Sequence, residues 1–431
     1  MKQSQFTIVI PMDDGLLLFN TANTALVYLE LSEAQLYNQI ICEELERKNE
    51  KQIAFQKQLC ELGIIADNDT NEFLTLVKKY WDFRNSSDYI KVVIAPTTNC
   101  NLNCPYCFEN GTHRSDMNLQ TCDKISEEMR RKMQQWGTKG CALIWYGGEP
   151  LLNWKVINRL TNDLFKFCDH NGMQFNASIV TNGVLLNPQR ISAMKEMGFR
   201  SIQITLDGDE KSHNSVRHFN DGGGTFNTIL KNICLCSDNF DTTVRVNVGK
   251  NNINEIKKLV DYFVSINLLN IVLFFAPIEP LAGFNDRLCY TPEQFAPIQA
   301  ELIKYAVESG MSKCVGLPIP HFGFCEAVSS NNFLFDPEGD HFFCWENVGR
   351  KEFTNNSAHN LSEYIKLKNY FVDTYSFHRD ECENCKIFPL CLGGCPQRKL
   401  ESGRAPCPPL RYNIQEIVKT YYNNFCKNEA K

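Results

Sequence analysis

Residues 95–109 read Ala95-Pro-Thr-Thr-Asn-Cys-Asn-Leu-Asn-Cys-Pro-Tyr-Cys-Phe-Glu109, which places Cys100, Cys104 and Cys107 at C-x3-C-x2-C spacing. Three thiolates on one short loop can hold three irons of a cubane cluster and leave the fourth iron without a protein ligand. Electron-transfer cubes normally take four cysteines, at other spacings. An iron left open is a place for a substrate or cofactor to bind. The competing reading of the same cysteines is a zinc knuckle, which needs a fourth ligand close by. His113 and Cys122 are the sequence candidates for that ligand.

One strand and one helix later comes Trp145-Tyr-Gly-Gly-Glu-Pro150, where the glycines permit a backbone approach that a side chain would block. Loop and segment together resemble the radical S-adenosylmethionine (SAM) enzymes. The resemblance implies that the amino and carboxylate groups of SAM occupy the open iron. One electron then cleaves the sulfonium C–S bond and gives a 5′-deoxyadenosyl radical. It also implies that the backbone of Gly147, Gly148, Glu149 and Pro150 binds the SAM amino group, and that Tyr106 offers its ring to the adenine. Thr181, Asn182, Thr205, Asp207 and Asn247 match strand-end positions that bond ribose hydroxyls and the methionine carboxylate. Arg217 is a partner for a carboxylate, with an ordinary surface salt bridge as the alternative. Asn214 stands where the family usually has aspartate, which puts any role of that carboxylate in doubt.

Between Tyr89 and Ala276, apolar strands alternate with amphipathic helices. Strands are expected at 91–95, 142–146, 175–180, 201–206, 243–248 and 270–275. Helices are expected at 118–136, 153–170, 188–197, 226–237 and 253–266. Six β/α units of this kind define an α/β fold with a parallel sheet and helices outside. The resemblance narrows it to a partial (β/α)6 TIM-type barrel, with the cofactor residues at the strand C-termini. Residues 1–85 alternate apolar and polar positions in short strands around Asp13-Asp14-Gly15, then turn helical at 32–47, 51–62 and 71–83. Ser32 is the expected cap of the first of these helices. The pattern resembles a small winged-helix-like α+β domain that binds a leader peptide, and a simple cap on the catalytic domain is the alternative. The expected layout is 1–85, a leader-peptide-binding domain; 86–280, the radical SAM partial barrel; 281–310, a linker and helix; 311–431, a cysteine-rich domain.

The chain has twenty cysteines. In a chain of this size without an apolar leader, that count points to metal rather than disulfides. The last third carries Cys325, then Gly339-x4-Cys344, Cys382-x2-Cys385-x5-Cys391-x3-Cys395, and Cys407. This order resembles the SPASM extension of radical SAM enzymes, which implies two auxiliary [4Fe–4S] clusters, three clusters in all. By that resemblance Cys382, Cys385, Cys391 and Cys407 hold one, and Cys325, Cys344 and Cys395 hold the other. Cys314 is a candidate fourth ligand, with Cys289 and Cys426 as weaker ones; without it, an open iron could take a substrate thiolate. Paired zinc ribbons are the alternative at this spacing. Glu346, two positions past Cys344, is a candidate general base.

A net charge of −6 and a pI near 5.8 argue against nucleic-acid binding as the main task. The most apolar stretch, 266–278, is too short and interrupted to span a bilayer, and Pro11 breaks the N-terminal apolar run. A cytoplasmic enzyme is expected, with no membrane or nucleic-acid partner. Its expected partners are a ribosomal precursor peptide carrying a leader and an electron donor such as flavodoxin or ferredoxin. The expected activity is an intramolecular thioether or C–C crosslink. The rivals are an anaerobic sulfatase-maturase-like formylglycine-generating enzyme, a cofactor-biosynthesis enzyme acting on a small peptide, and a zinc-binding scaffold with a degenerate barrel.

Overall fold

A computed structural model describes residues 1–42, 49–279, 286–320, 325, 327–354 and 380–426. Near the N-terminus, β1 (Lys2–Gln3) precedes three strands, β2 (Thr7–Met12), β3 (Gly15–Asn20) and β4 (Leu26–Glu30). Asp13-Asp14 turns the chain between β2 and β3, and β2–β3–β4 form an antiparallel sheet. Helices α1 (Leu31–Ile41), α2 (Glu50–Glu61) and α3 (Glu72–Arg84) follow, with β5 (Ile65–Ala66) paired antiparallel to β1. The cap of α1 is Glu30, not Ser32: Glu30 and Glu33 close a reciprocal capping box that leaves Ser32 inside the first turn. The expected C-terminal end of this helix, residues 43–47, falls outside the described residues.

Successive residues of a strand point to opposite faces, and β3 uses both. Leu18 faces Leu29, Tyr37, Leu59 and Ile64 of the N-terminal segment itself. Leu17 and Phe19, with Ile8 and Ile10, face Ile387, Leu390, Ile414 and Val418 near the other end of the chain. A second shared cluster sets Phe6, Phe73, Leu76 and Tyr80 against Val328, Phe343 and Phe388. Residues 1–85 are thus packed into the cysteine-rich third.

The main sheet begins with β6 (Tyr89–Ile94). It continues through α4 (Leu119–Trp136), β7 (Gly140–Trp145), α5 (Trp154–His170), β8 (Gln174–Thr181), α6 (Pro188–Glu196) and β9 (Phe199–Thr205). After β9 come α7 (Glu210–Val216), α8 (Phe226–Ser237), β10 (Asp241–Val248), α9 (Ile253–Ser265), β11 (Val272–Pro277) and α10 (Pro292–Glu308). Strands β6 to β11 lie side by side in sequence order, all parallel, as the alternating pattern predicts. Their core joins Leu143, Ile179, Ile204 and Val246 of the strands to Met129, Leu160, Ile229 and Leu259 of the helices.

Two further strands were not expected. β12 (Asn332–Phe335) pairs parallel to β6, and β13 (His341–Phe342) returns antiparallel to β12. Among the described residues the sheet therefore has eight strands, ordered β11-β10-β9-β8-β7-β6-β12-β13. The stretch after Asp207, for which no element was expected, holds the short helix α7. No helix among the described residues is long and apolar enough to cross a membrane.

The shared clusters make stability of the two chain ends inseparable. Phe73 on α3 meets Phe388, between Cys385 and Cys391, with ring centroids 4.9 Å apart. Phe73→Ala should cost about 3 kcal/mol, the low end for a buried phenylalanine. It should also expose residues 380–410 to limited proteolysis; unchanged cleavage there would mean that the two ends fold independently.

Candidate functional site

The loop that leaves β6 is braced before it reaches its cysteines. Thr98 Oγ1 donates to the His113 carbonyl at 2.8 Å, and Asn99 Nδ2 donates to Asp116 at 3.1 Å. Asn103 N–H reaches the His218 carbonyl at 3.1 Å, and Cys107 N–H that of Cys104 at 3.2 Å. Cys100, Cys104 and Cys107 are neighbours, each close enough to another to raise its pKa, and all three feel the charge of Arg217. Burial pushes Cys100 and Cys107 up to about 11, so iron binding would have to displace their protons. Among the described residues, no three His, Cys, Asp or Glu side chains converge on the point a single metal ion would fill. The zinc-knuckle candidates go elsewhere: Cys122 is fully buried in α4, and His113 lies 3.4 Å from Glu338 at the surface.

The Trp145–Pro150 turn sits directly on this loop. Gly148 N–H donates to the Thr97 carbonyl at 3.1 Å and Glu149 N–H to that of Asn99 at 2.8 Å. A Cβ on Gly147 would lie 2.5 Å from the Thr97 oxygen, and one on Gly148 would lie 2.2 Å from the Asn99 oxygen. The close approach these glycines allow is therefore to the cysteine loop itself. With those two amides spent, the turn has carbonyl oxygens to offer a ligand, the acceptors an ammonium group needs. Glu149 turns its side chain inward. It is fully buried, accepting from Leu151 N–H at 3.0 Å, Thr181 Oγ1 at 2.7 Å and Asn182 N–H at 2.7 Å. Burial raises its pKa, and those donors oppose the rise. Pro150 opens the short helix that follows.

A second network joins the ends of β9 and β10. Asp207 accepts from the Tyr106 hydroxyl, from Asn247 N–H at 2.8 Å and from Asn247 Nδ2 at 3.1 Å. The Tyr106 hydroxyl in turn accepts from Arg217 Nη1 at 3.1 Å. Arg217 is thus buried beside the cysteines and reaches Asp207 through Tyr106, which answers the surface salt-bridge alternative. Tyr106 is tied by its hydroxyl. Thr205 ends β9 opposite Arg245, and Asn182 Nδ2 donates to Asn101 Oδ1 at 2.8 Å. All these positions gather at the C-terminal ends of the strands.

Behind them, Asp207 N–H donates to His213 Nδ1 at 3.1 Å, so the proton is on Nε2, which meets Thr225 Oγ1 at 3.0 Å. Thr225 passes its own hydrogen to the Arg217 carbonyl at 2.6 Å. Asn214 accepts from Thr225 N–H at 2.8 Å and Phe226 N–H at 3.0 Å, at the start of α8. An amide oxygen does that work as well as a carboxylate, which accounts for asparagine at this position.

In the last third, Cys382, Cys385, Cys391 and Cys407 line one cavity together with Phe388 and Arg411. Arg411 Nη1 lies 2.9 Å from Cys407 Sγ. Cys344 has Cys325 and Cys395 as its cysteine neighbours. Cys314 lies apart from them: it packs in the main core and bonds the backbone at Leu273. As the fourth ligand expected beside Cys325, Cys344 and Cys395 it is out of place, because an apolar core holds it under β11. Cys289 is buried, and the Cys426 side chain falls outside the described residues. Glu346 is held by Arg398 at 2.9 Å, and the same guanidinium takes Glu279 and Glu401, each at 2.7 Å. Burial raises the Glu346 pKa and Arg398 opposes it. Sequence reasoning missed Arg398, Tyr146 and Trp345; the signal for all three was their adjacency to motif residues.

The fold and site define a parallel-sheet protein whose strand ends surround a three-cysteine loop. The Radical SAM superfamily profile matches residues 94–263. The radical SAM cyclopropyl synthase TigE of Paramaledivibacter caminithermalis is 24% identical over 371 residues, 78% of this chain and 74% of that protein. A cysteine-type anaerobic sulfatase-maturating enzyme of Clostridium novyi is 24% identical over 385 residues, 79% of this chain and 96% of its own length. The solved structure of Streptococcus suis SuiB bound to precursor peptide SuiA superposes with a TM-score of 0.53 at 16% identity, covering 95% of this chain and 98% of that one. Residues 94–263 thus match a radical SAM domain, which implies SAM and a [4Fe–4S] cluster.

Gly148→Ala should push the cysteine loop off its seat, lowering both the iron retained by that loop and SAM cleavage, measured as iron per chain and 5′-deoxyadenosine formed. His213 supplies a pH test. Burial lowers its pKa from 6.5 to about 3, so below 6.5 the unfolded ring takes a proton that the folded ring refuses. Stability should therefore fall as pH drops from 6.5, by at most about 1.4 kcal/mol per unit from this group. His213→Gln should show a shallower slope in urea unfolding at pH 6.5, 5.5 and 4.5.

Proposed function

We propose that this chain is a radical SAM/SPASM maturase that abstracts hydrogen from a ribosomally made peptide and installs an intramolecular crosslink, a thioether or C–C bond. The observation that carries the reading is the convergence of Cys382, Cys385, Cys391 and Cys407 on one cavity, in a chain that already has the SAM-type loop. A carbon radical left after hydrogen abstraction must lose one more electron when a new bond closes the shell. A second set of cysteines would hold the acceptor. Cys325, Cys344 and Cys395 would hold a third cluster, with a further ligand or an open iron.

When bound, SAM and its cluster supply the 5′-deoxyadenosyl radical; the protein supplies binding, orientation and exclusion of water. The carbonyls of Gly147 and Gly148 would take the SAM ammonium group. Tyr106, held by Asp207 and Arg217, would set the adenine, and Asn182 and Asn247 would bond the methionine and ribose oxygens. Glu346, paired with Arg398, would accept a substrate proton only after that pair opens. The six parallel strands are read as a partial (β/α)6 barrel spanning 86–280, with a linker and helix at 281–310 and the cluster-bearing domain at 311–431. Residues 1–85, a three-stranded sheet with helices, are read as a winged-helix-like leader-binding domain. The likeness to SuiB across 95% of this chain supports a peptide substrate. An electron donor such as flavodoxin or ferredoxin completes the reading.

A second reading, oxidation of a Cys or Ser in a protein to formylglycine, is favoured by the match to the C. novyi enzyme over 96% of that protein's length. That match leaves about a fifth of the present chain over, and a leader-binding segment would account for such a surplus. Anaerobic reconstitution tests the shared chemistry. About twelve irons per chain with matching sulfide are expected for three cubes, and about eight after Cys100, Cys104 and Cys107 are all replaced by Ala. That triple variant should form no 5′-deoxyadenosine. Retained cleavage would refute the loop assignment, and stoichiometric zinc in place of iron would sink the auxiliary clusters.

A further inference from the structure

Cys107 is followed by Phe108, and Cys344 by Trp345; these two aromatic residues belong to different cysteine sets, more than 230 positions apart in sequence. Tyr146, at the end of β7, stands between them. Its ring lies parallel to Phe108, with centroids 6.3 Å apart and 8° between planes. On its other side it meets Trp345 at 4.5 Å and 55°. Such offset and tilted pairs are the arrangements aromatic rings favour. The three belong to one apolar cluster with Val93, Ala95, Leu334, Phe342 and Val348, at the junction of β6, β7, β12 and β13. Tyr146 is 7% exposed. The Tyr146 hydroxyl faces the buried Glu109 carboxylate, and the Trp345 indole N–H has no hydrogen-bond partner among the described residues.

We infer that Phe108, Tyr146 and Trp345 form an aromatic relay that carries single electrons between the site of Cys100, Cys104 and Cys107 and the site of Cys325, Cys344 and Cys395. The route is covalent from Cys107 to Phe108 and from Trp345 to Cys344, with two ring contacts between. One electron moves: one site is oxidised by one and the other is reduced by one. No bond is made or broken, and no proton changes place. The rings remain closed-shell and serve as the medium, so the phenol oxygen is dispensable and the ring is not. This inference rests on the reading that both cysteine sets hold clusters.

The test uses the full chain, reconstituted and counted for iron, reduced with dithionite, freed of reductant by anaerobic desalting, and mixed with SAM. Freeze-quench EPR follows the reduced signal of the second site, whose reference spectrum comes from a variant in which Cys100, Cys104 and Cys107 and also Cys382, Cys385, Cys391 and Cys407 are replaced by Ala. The signal should decay as 5′-deoxyadenosine accumulates beyond the first equivalent. Tyr146→Leu and Trp345→Leu should slow that decay by an order of magnitude or more, and Tyr146→Phe should not. Two leucine variants at separate positions guard against one that fails to fold, and iron content identifies such a failure. Equal decay in iron-loaded leucine variants, or no decay in the unaltered protein, overturns the relay. An iron count of about four per chain overturns the relay together with the reading beneath it.

Discussion

The site depends on a contact between two backbone turns. Gly147, Gly148 and Glu149 lie against Thr97–Asn99 so closely that a single methyl on either glycine would overlap a carbonyl oxygen. Two hydrogen bonds hold the turns together, from Gly148 N–H and Glu149 N–H. The Glu149 carboxylate then ties this unit to the end of β8 through Thr181 and Asn182. Three strand ends, β6, β7 and β8, are locked by one buried acid and two amides. The cysteine loop inherits its position from them.

The charges beyond that lock are costly ones. Arg217 and Asp207 are each less than a tenth exposed, and isolated buried charges are unfavourable by several kcal/mol. They are tolerated because Tyr106 links them and Asn247 covers Asp207 with two donors. His213 and Thr225 then fix the backbone that presents both. Breaking one member would strand the others, so this network is better understood as a device for orientation than as a source of stability. That fits its place beside the thiols of Cys100, Cys104 and Cys107.

Much of this was legible in the sequence because it is local. Helix and strand periodicity located all six β/α units, and cysteine spacing marked both cysteine groups before any contact was known. What stayed hidden is non-local. β12 is only four residues long and pairs with β6, some 240 positions earlier; nothing in Asn332–Phe335 announces a partner. The two-faced burial of β3 is equally silent, since an alternating strand covered on both sides reads like one half-exposed. Cys314 was misplaced for a related reason: nearness in sequence to Cys325 says nothing about which side of β11 it packs on. Ser32 lost the cap of α1 to a reciprocal Glu30–Glu33 pair that satisfies two groups where a lone serine satisfies one.

The cysteine-rich third holds the parallel sheet at both ends. At one edge β12 extends the ladder from β6, so the exposed edge that a parallel sheet would otherwise present there is paired. The far side is tied at Glu279, just past β11, where Arg398 binds it together with Glu346. Glu346 is two residues from Cys344, and Arg398 is three from Cys395. Each tie therefore ends next to a cysteine of the same set. The ladder at β6 and the ion pairs just past β11 thus both join the parallel sheet to the segment that carries Cys344, and the N-terminal segment packs on the same third through Phe6 and Phe73.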